Sequence, residues 1–139
     1  MRRAIVMVLV AVLLVGCQAL PKTTVVERAI ALQFRQTQAE LSTLLRPDDS
    51  APPDFRISHV KVSDRQSLII GDLKSVRVQG TYDVTLTYPD RRLNSRVVQR
   101  QNPFEVFLQQ QPDGDTWRLA QLKQGTQAED ERWLTTLIQ

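Results

Sequence analysis

The feature that most constrains the fold is an unbroken alternation of apolar and polar residues from Val76 to Tyr88. The even-numbered positions are apolar, aromatic or glycine, and the odd-numbered positions between them are all polar. A period of two residues is that of a β-strand with one face buried and the other in water. At about 3.3 Å per residue the strand would run roughly 40 Å, and we expect it to bend at Gly80. The chain must therefore form a sheet that buries one face of this strand.

Further strands are predicted on both sides of this one. Apolar residues alternate before it with a change of phase at Ser58-His59, which indicates a bulge or bend. The segments with a strand pattern are 55–62, 68–70, 93–100, 104–108 and 116–122. They are separated by turn residues at 71–72, 89–90, 102–103 and 111–115. Because these connections are short, we expect antiparallel pairing.

A helix is predicted at each end of the strands. Residues 24–27 have the spacing of a capping box, and apolar residues follow at helical spacing until Pro47 ends the segment. Residues 126–129 repeat the capping-box spacing and open a short C-terminal helix. Its apolar side carries Trp133, Leu134, Leu137 and Ile138. We expect Trp133 to pack with Trp117 against the sheet.

These elements predict an α+β fold, in which an N-terminal amphipathic helix packs on a bent antiparallel β-meander and a short helix follows at the C-terminus. The arrangement resembles the cystatin-like roll, also called the nuclear transport factor two-like fold. The resemblance rests on the leading helix, the bent strand 76–88 and the hairpin joining 104–108 to 116–119. It implies one domain, which we place at residues 24–139, with a concave sheet face. Enzymes of this fold place Asp and His side chains in that concavity.

The N-terminal segment has the composition of a secretory signal. Arg2 and Arg3 precede an unbroken apolar run from Ala4 to Val15. A positive start, a short apolar region and small residues before a cleavage site are the marks of an exported protein.

The tetrapeptide Leu14-Val15-Gly16-Cys17 closes this segment and resembles the lipobox of bacterial lipoproteins. The resemblance implies that a dedicated peptidase recognises the first three residues and cleaves before Cys17. It also implies that the Cys17 sulfur carries a diacylglyceryl group. We therefore expect residues 1–16 to be a lipoprotein signal peptide and residues 17–23 to be the lipidated cysteine with a short spacer.

Two other interpretations of the N-terminal segment are an uncleaved transmembrane anchor and a buried core helix. Twelve apolar residues span about 18 Å as a helix, whereas the hydrocarbon core of a bilayer is about 30 Å thick. A core helix would place an all-round apolar surface directly behind two arginines. The length and charge of the segment favour the signal peptide.

Charge and cysteine content exclude several function classes. Removal of Arg2 and Arg3 leaves 16 basic and 15 acidic residues, a net charge of +1. The high isoelectric point therefore does not predict nucleic-acid binding. Cys17 is the only cysteine, so no disulfide is available and the core alone must stabilise the domain. Two or more acyl chains on Cys17 would make the membrane a lasting partner.

The sequence shows no recognisable catalytic or metal-binding constellation. His59 is the only histidine, no nucleophile-elbow pattern surrounds a serine, and Asp83 falls on the polar side of strand 76–88. We expect His59 to be partly buried and hydrogen-bonded, and one histidine does not form a zinc site. The other aspartates stand at turns and strand ends, where they bond locally. We therefore expect no enzymatic activity, no cofactor and no metal.

Arg92, Arg96 and Arg100 recur every four residues on one predicted strand and therefore share a face. Two interpretations are open: a solvated sheet face, or a patch that meets anionic headgroups or an acidic partner surface. Arginine suits the second, because its guanidinium binds carboxylates and phosphates bidentately. Across the hairpin we expect Asp83 to lie opposite or diagonal to Arg96.

The sequence as a whole predicts a non-catalytic, lipid-anchored envelope protein that serves as a scaffold or assembly partner for another envelope protein. The alternative is a small-ligand-binding module that uses a concave face lined by Tyr82, Tyr88, Phe104 and Phe107. Both interpretations place the domain outside the cytoplasm, either facing the periplasm or on the outer side of the cytoplasmic membrane. In bacteria that sort lipoproteins, an Asp after the cysteine retains the protein in the inner membrane. Gln18 occupies that position, so delivery to the outer membrane is allowed.

Overall fold

One helix and five strands make up the part of the chain that the computed structural model describes, which is residues 20–45, 53–89, 95–123 and 132–139. Helix α1 spans Thr23–Leu45. The strands are β1 Asp54–Ile70, β2 Leu73–Tyr88, β3 Ser95–Gln110, β4 Trp117–Lys123 and β5 Arg132–Leu137. They form one sheet in the order β1-β2-β3-β4-β5, and each neighbouring pair is antiparallel. The sheet is therefore a simple meander.

The sheet has two parts, because three of its strands are long and two are short. β1, β2 and β3 contain 17, 16 and 16 residues, whereas β4 and β5 contain 7 and 6. On β3, the residues that pair with β4 are 107–110, at the end of the strand. Within the described chain, residues 95–106 of β3 therefore pair with β2 alone.

Helix α1 covers one face of the sheet, and the apolar core lies between the two. α1 contributes Val26, Ala29 and Ile30, and the strands contribute Val76, Val78, Val106, Leu108, Trp117 and Leu119. Further along the helix, the rings of Phe34 and Phe55 lie 4.8 Å apart. Burying each large apolar side chain stabilises the fold by about 1.5–3 kcal/mol. No described helix covers the opposite face of the sheet, which we call the outer face.

The pairing of β1 with β2 is irregular around Gly80. The register of β1 against β2 shifts between Ser58 and Lys61 and again between Val62 and Asp64. These shifts bring the β1 backbone so close that a Cβ atom on Gly80 would lie 1.9 Å from the carbonyl oxygen of Lys61. Glycine is required here because only a residue without a side chain permits that approach.

The predicted fold class, an α+β cystatin-like roll with helices at both ends, is wrong. The described chain is a five-stranded antiparallel sheet with the single helix α1, and the predicted C-terminal helix is strand β5. Apolar residues at 133, 134, 137 and 138 fit a helical spacing, but Thr135 and Thr136 between them are β-branched. Residues 132–137 pair with residues 118–123 of β4, and this ladder makes the segment a strand.

The prediction that the two tryptophans pack together is wrong. Trp117 is buried in the core beneath α1. Trp133 pairs with Leu122 in the sheet and contacts Phe107 edge-on, with ring centroids 5.1 Å apart. Trp117 is paired with Gln110, which lies three residues from Phe107 along β3. Because successive side chains of a strand alternate between faces, Trp117 and Phe107 point to opposite faces.

Candidate functional site

The outer face of the long strands carries a group of basic side chains. The register places Arg56 of β1 opposite Thr85, Lys61 of β1 opposite Thr81 and Arg96 of β3 opposite Thr87. The basic side chains therefore stand on the two outer strands, and half-buried threonines of β2 lie between them. We define the basic face as Arg56, Lys61, Arg96 and Arg100 with Thr81, Thr85 and Thr87. Among the described residues, none of these four cations forms an ion pair.

Asp83 lies at the centre of this face, between two irregular points of the neighbouring strands. Nδ1 of His59 lies 3.1 Å from one carboxylate oxygen of Asp83. The backbone N–H of Gln101 donates a 2.9 Å hydrogen bond to the other. His59 and Gln101 both have positive φ angles, 50° and 54°. The two bulges therefore turn β1 and β3 toward the same carboxylate.

A pocket of about 210 Å³ opens beside Asp83. It is lined by His59, Lys61, Thr81, Asp83, Arg100 and Gln101. The Asp83 side chain is 18% exposed, whereas that of His59 is 74% exposed. The pocket is thus open to water on the histidine side, and both carboxylate oxygens of Asp83 contact groups of the protein.

The His59–Asp83 pair resembles a general base with its orienting carboxylate, but the rest of a catalytic site is not assembled around it. A nucleophilic hydroxyl would have to hydrogen-bond to the imidazole. Among the described side chains, no serine or threonine hydroxyl forms that bond. The same residues contain no group of three His, Cys, Asp or Glu side chains that could hold a metal. The chemistry that this geometry offers is binding, through positive charge and hydrogen-bond donors.

The structure places only part of the predicted interaction patch. Arg96 and Arg100 are exposed on β3, while Arg92, the lipidation residue Cys17 and its recognition residues Leu14, Val15 and Gly16 lie outside the described ranges.

The predicted pairing of Asp83 with Arg96 is wrong. Arg96 stands opposite Thr87, and Asp83 meets Arg100 and Gln101. The regular pairing that starts at Tyr88 and Ser95 brings Asp83 to Arg100, four residues beyond Arg96, before the bulge in β3 shifts the register.

His59 lies 3.1 Å from Asp83, but its side chain is exposed rather than partly buried. The sequence pattern did not predict that this site also includes Arg56, Lys61, Thr81 and Gln101. The phase change at Ser58-His59 was the one available signal, because a bulge there moves Lys61 to the outer face.

The four aromatic residues expected to line a ligand cavity do not gather in one place. Tyr82 and Phe104 lie on the face beneath α1, with ring centroids 6.2 Å apart. Burial raises the pKa of the Tyr82 phenol above its ordinary value. Phe107 points to the outer face, where it meets Trp133. The helix therefore occupies the face that a ligand would need, and the aromatics are divided between both sides of the sheet.

Comparison with known proteins gives no further guide to this site. No protein-family model, curated protein or solved structure matches the chain. Of the described residues, none belongs to a helix that could cross a bilayer.

Proposed function

We propose that the chain is an exported lipoprotein, tethered through Cys17, whose basic face binds an acidic surface of an envelope protein without catalysing a reaction. The tether is proposed from the sequence Leu14-Val15-Gly16-Cys17. The binding role is supported by one observation above the others: four cations stand on the open face of the sheet with no ion-pair partner among the described residues. Among the described residues of β1 from 54 to 61 and of β2 from 81 to 88, the carboxylates that oppose them are Asp54 and Asp83.

The physical basis of binding is electrostatic complementarity. A surface with an excess of positive charge raises the rate of encounter with an acidic partner and selects against basic ones. Arginine fork geometry also allows bidentate hydrogen bonds to carboxylates. A lipid tether would hold the domain at the membrane surface, which raises its effective concentration for partners in the same membrane.

The tether is tested by mass spectrometry of the protein purified from membranes. The proposal expects an N-terminal peptide that begins at Cys17 and carries diacylglyceryl, and it expects Cys17→Ser to remain uncleaved. An unmodified wild-type chain that begins at residue 1 would refute it.

The binding role is tested by cross-linking in cells followed by affinity purification. The double variant Arg96→Glu and Arg100→Glu reverses two charges of the basic face. Since like charges across an interface cost several kcal/mol, we expect recovery of specific partners to fall about tenfold or more. The matched control is Lys22→Glu with Arg28→Glu. It makes the same charge change at two exposed positions, one just before α1 and one in its second turn.

Equal recovery from both double variants would refute the role of the basic face. Binding of the wild-type chain to anionic lipid vesicles, with no protein recovered, would replace the protein partner by the membrane itself. Recovery should also fall as salt rises, because exposed charges are screened over about 8 Å at 0.15 M salt.

A further inference from the structure

The pocket beside Asp83 combines two cations and a hydroxyl at the spacing of neighbouring strands. Lys61 on β1 is paired with Thr81 on β2, whereas Arg100 on β3 lies beside Asp83, two residues further along β2, and all of them line the pocket. Adjacent strands are about 4.8 Å apart, so the two flanking backbones are separated by roughly 10 Å. The two cations therefore stand on the strands that flank β2, and β2 itself carries the Thr81 hydroxyl.

The charge of the pocket is positive even though it contains a carboxylate. Its lining holds two cations and one carboxylate; one oxygen of Asp83 accepts a hydrogen bond from the Gln101 backbone, and the other lies 3.1 Å from Nδ1 of His59. Neither Lys61 nor Arg100 lies within ion-pair distance of Asp83 or of any other described carboxylate. By contrast, Arg77 on the same face is already matched with Glu105, at 3.8 Å. Lys61 and Arg100 are thus the cations of this region that are free to bind an external anion.

The donor set indicates which anion fits. The arginine supplies a planar fork of N–H groups, the lysine a compact charge with three donors, and the threonine a hydroxyl. Converging donors of this kind suit an oxyanion with several acceptor oxygens rather than a halide or a cation. The volume of about 210 Å³ is several times the roughly 30 Å³ that one water occupies.

We infer that the pocket formed by Lys61, Thr81 and Arg100 beside the His59–Asp83 pair binds a phosphate group. The inference rests on the open basic face of the proposed function, and it requires neither the tether nor a protein partner. The bulge between Ser58 and Lys61 makes the site, because it turns Lys61 to the face of the sheet that Thr81 and Arg100 share.

The test is calorimetric titration of the full-length chain with inorganic phosphate. Wild type should bind saturably, and Lys61→Gln and Arg100→Gln should each weaken binding about tenfold or more, since a hydrogen bond to a charged group contributes about 1.5–3 kcal/mol. The matched control is Arg96→Gln, which removes an exposed cation from the same strand and face but outside the pocket. It should stay within about twofold of wild type. Melting curves of the three variants check that they remain folded.

Absence of saturable binding by wild type would overturn the inference. So would equal weakening by Arg96→Gln and Arg100→Gln, because that result assigns binding to the general charge of the face. Competition between inorganic phosphate and phosphatidic acid vesicles distinguishes the source of the phosphate. Vesicle binding that phosphate displaces assigns the pocket to a lipid headgroup, and phosphate binding without vesicle binding assigns it to a free phosphate compound.

The result separates from that of the proposed function. If phosphate binding is absent while Arg96→Glu with Arg100→Glu still abolishes partner recovery, this inference fails and the proposed function stands. If phosphate binds as expected while partner recovery is unchanged, the proposed function fails and the phosphate pocket stands.

Discussion

Replacement of Gly80 by alanine should be unusually costly for a change of one methyl group. The added Cβ would lie 1.9 Å from the Lys61 carbonyl oxygen and 3.0 Å from a ring carbon of Phe104. Since real Cβ contacts stay above 3.0 Å, β1 must retreat by at least 1.1 Å at this point. The nearest obstacle is backbone, so no rotamer change relieves the contact.

The cost can be built from two parts. Overpacking by one methyl group against a rigid neighbour costs about 1–3 kcal/mol. Moving β1 away also weakens the pairing of Val62 with Gly80 and of Lys61 with Thr81, and a lost backbone hydrogen bond costs about 1 kcal/mol net. We therefore expect Gly80→Ala to lower the free energy of unfolding by about 3 kcal/mol. This is a large share of the 5–15 kcal/mol typical of a domain.

The measurement is urea unfolding followed by fluorescence of the two tryptophans. A drop in the midpoint at constant m-value reports lost stability rather than a changed unfolded state. Gly114→Ala is the matched control, because nothing lies within 4 Å of its added Cβ and its φ is +81°. Its cost is the backbone strain of an alanine in the left-handed region, about 1–2 kcal/mol. If Gly80→Ala costs no more than Gly114→Ala, the close approach of β1 is not as described.

Three further predictions follow from the contacts of other residues. Leu108→Ala removes a fully buried side chain and should cost about 2–5 kcal/mol by urea unfolding; a cost below 1 kcal/mol would contradict its place in the core. A double-mutant cycle on Phe107 and Trp133 should give a coupling of about 0.5–1.5 kcal/mol, and zero coupling would mean that their ring contact does not hold β5 to the sheet. Hydrogen bonds from the Thr116 hydroxyl, the Thr116 backbone and the Asp115 backbone hold the pKa of Asp113 below its ordinary 3.8. Because the folded pKa is the lower one, the stabilisation is present above pH 3.8 and is lost as pH falls further. Asp113→Asn should therefore reduce the loss of stability on acidification, and an unchanged acid limb in melting curves would contradict this.

Local patterns were sufficient to identify the central strand and the leading helix. Alternation from Val76 to Tyr88 falls within β2, and the core faces of Val76 and Val78 are those that the pattern indicated. The helical spacing after Thr24 falls within α1. In β2 and in the first half of α1 the local period and the burial agree, whereas Leu41 and Leu44 near the end of α1 are exposed.

Local patterns failed where a segment was short, and where an irregularity made one long strand look like two. Residues 132–137 carry an apolar spacing that suits either a helix or a strand, and pairing with β4 decides between them. The change of phase at Ser58-His59 and the interruption at Asn102-Pro103 do not end β1 or β3. Each is absorbed as a bulge within one long strand.

The candidate site shows the same division. The sequence alone drew attention to His59, Asp83 and Arg100, because one is the only histidine, one is a charged residue on the polar side of a strand, and one belongs to an arginine row. Nothing in their order along the chain, across three different strands, says that they meet. Their meeting depends on the register of β1 and β3 against β2, and that register contains one bulge on each side of Asp83. A single added residue in a strand changes which side chains face each other.

The sequence by itself therefore determined the alternating strand, the helix that covers it, the basic character of β3 and the expectation of a lipid tether at Cys17. These depend on periods and compositions that are complete within a few residues. Only the tertiary structure decided that the C-terminal segment is a strand, that Trp117 and Trp133 lie on opposite faces, and that Lys61 and Arg100 flank one pocket beside Asp83. These depend on how separate strands pair; β1 and β3 each pair with β2, which brings residues as far apart as 61 and 100 to one pocket, and one bulge changes which side chains meet.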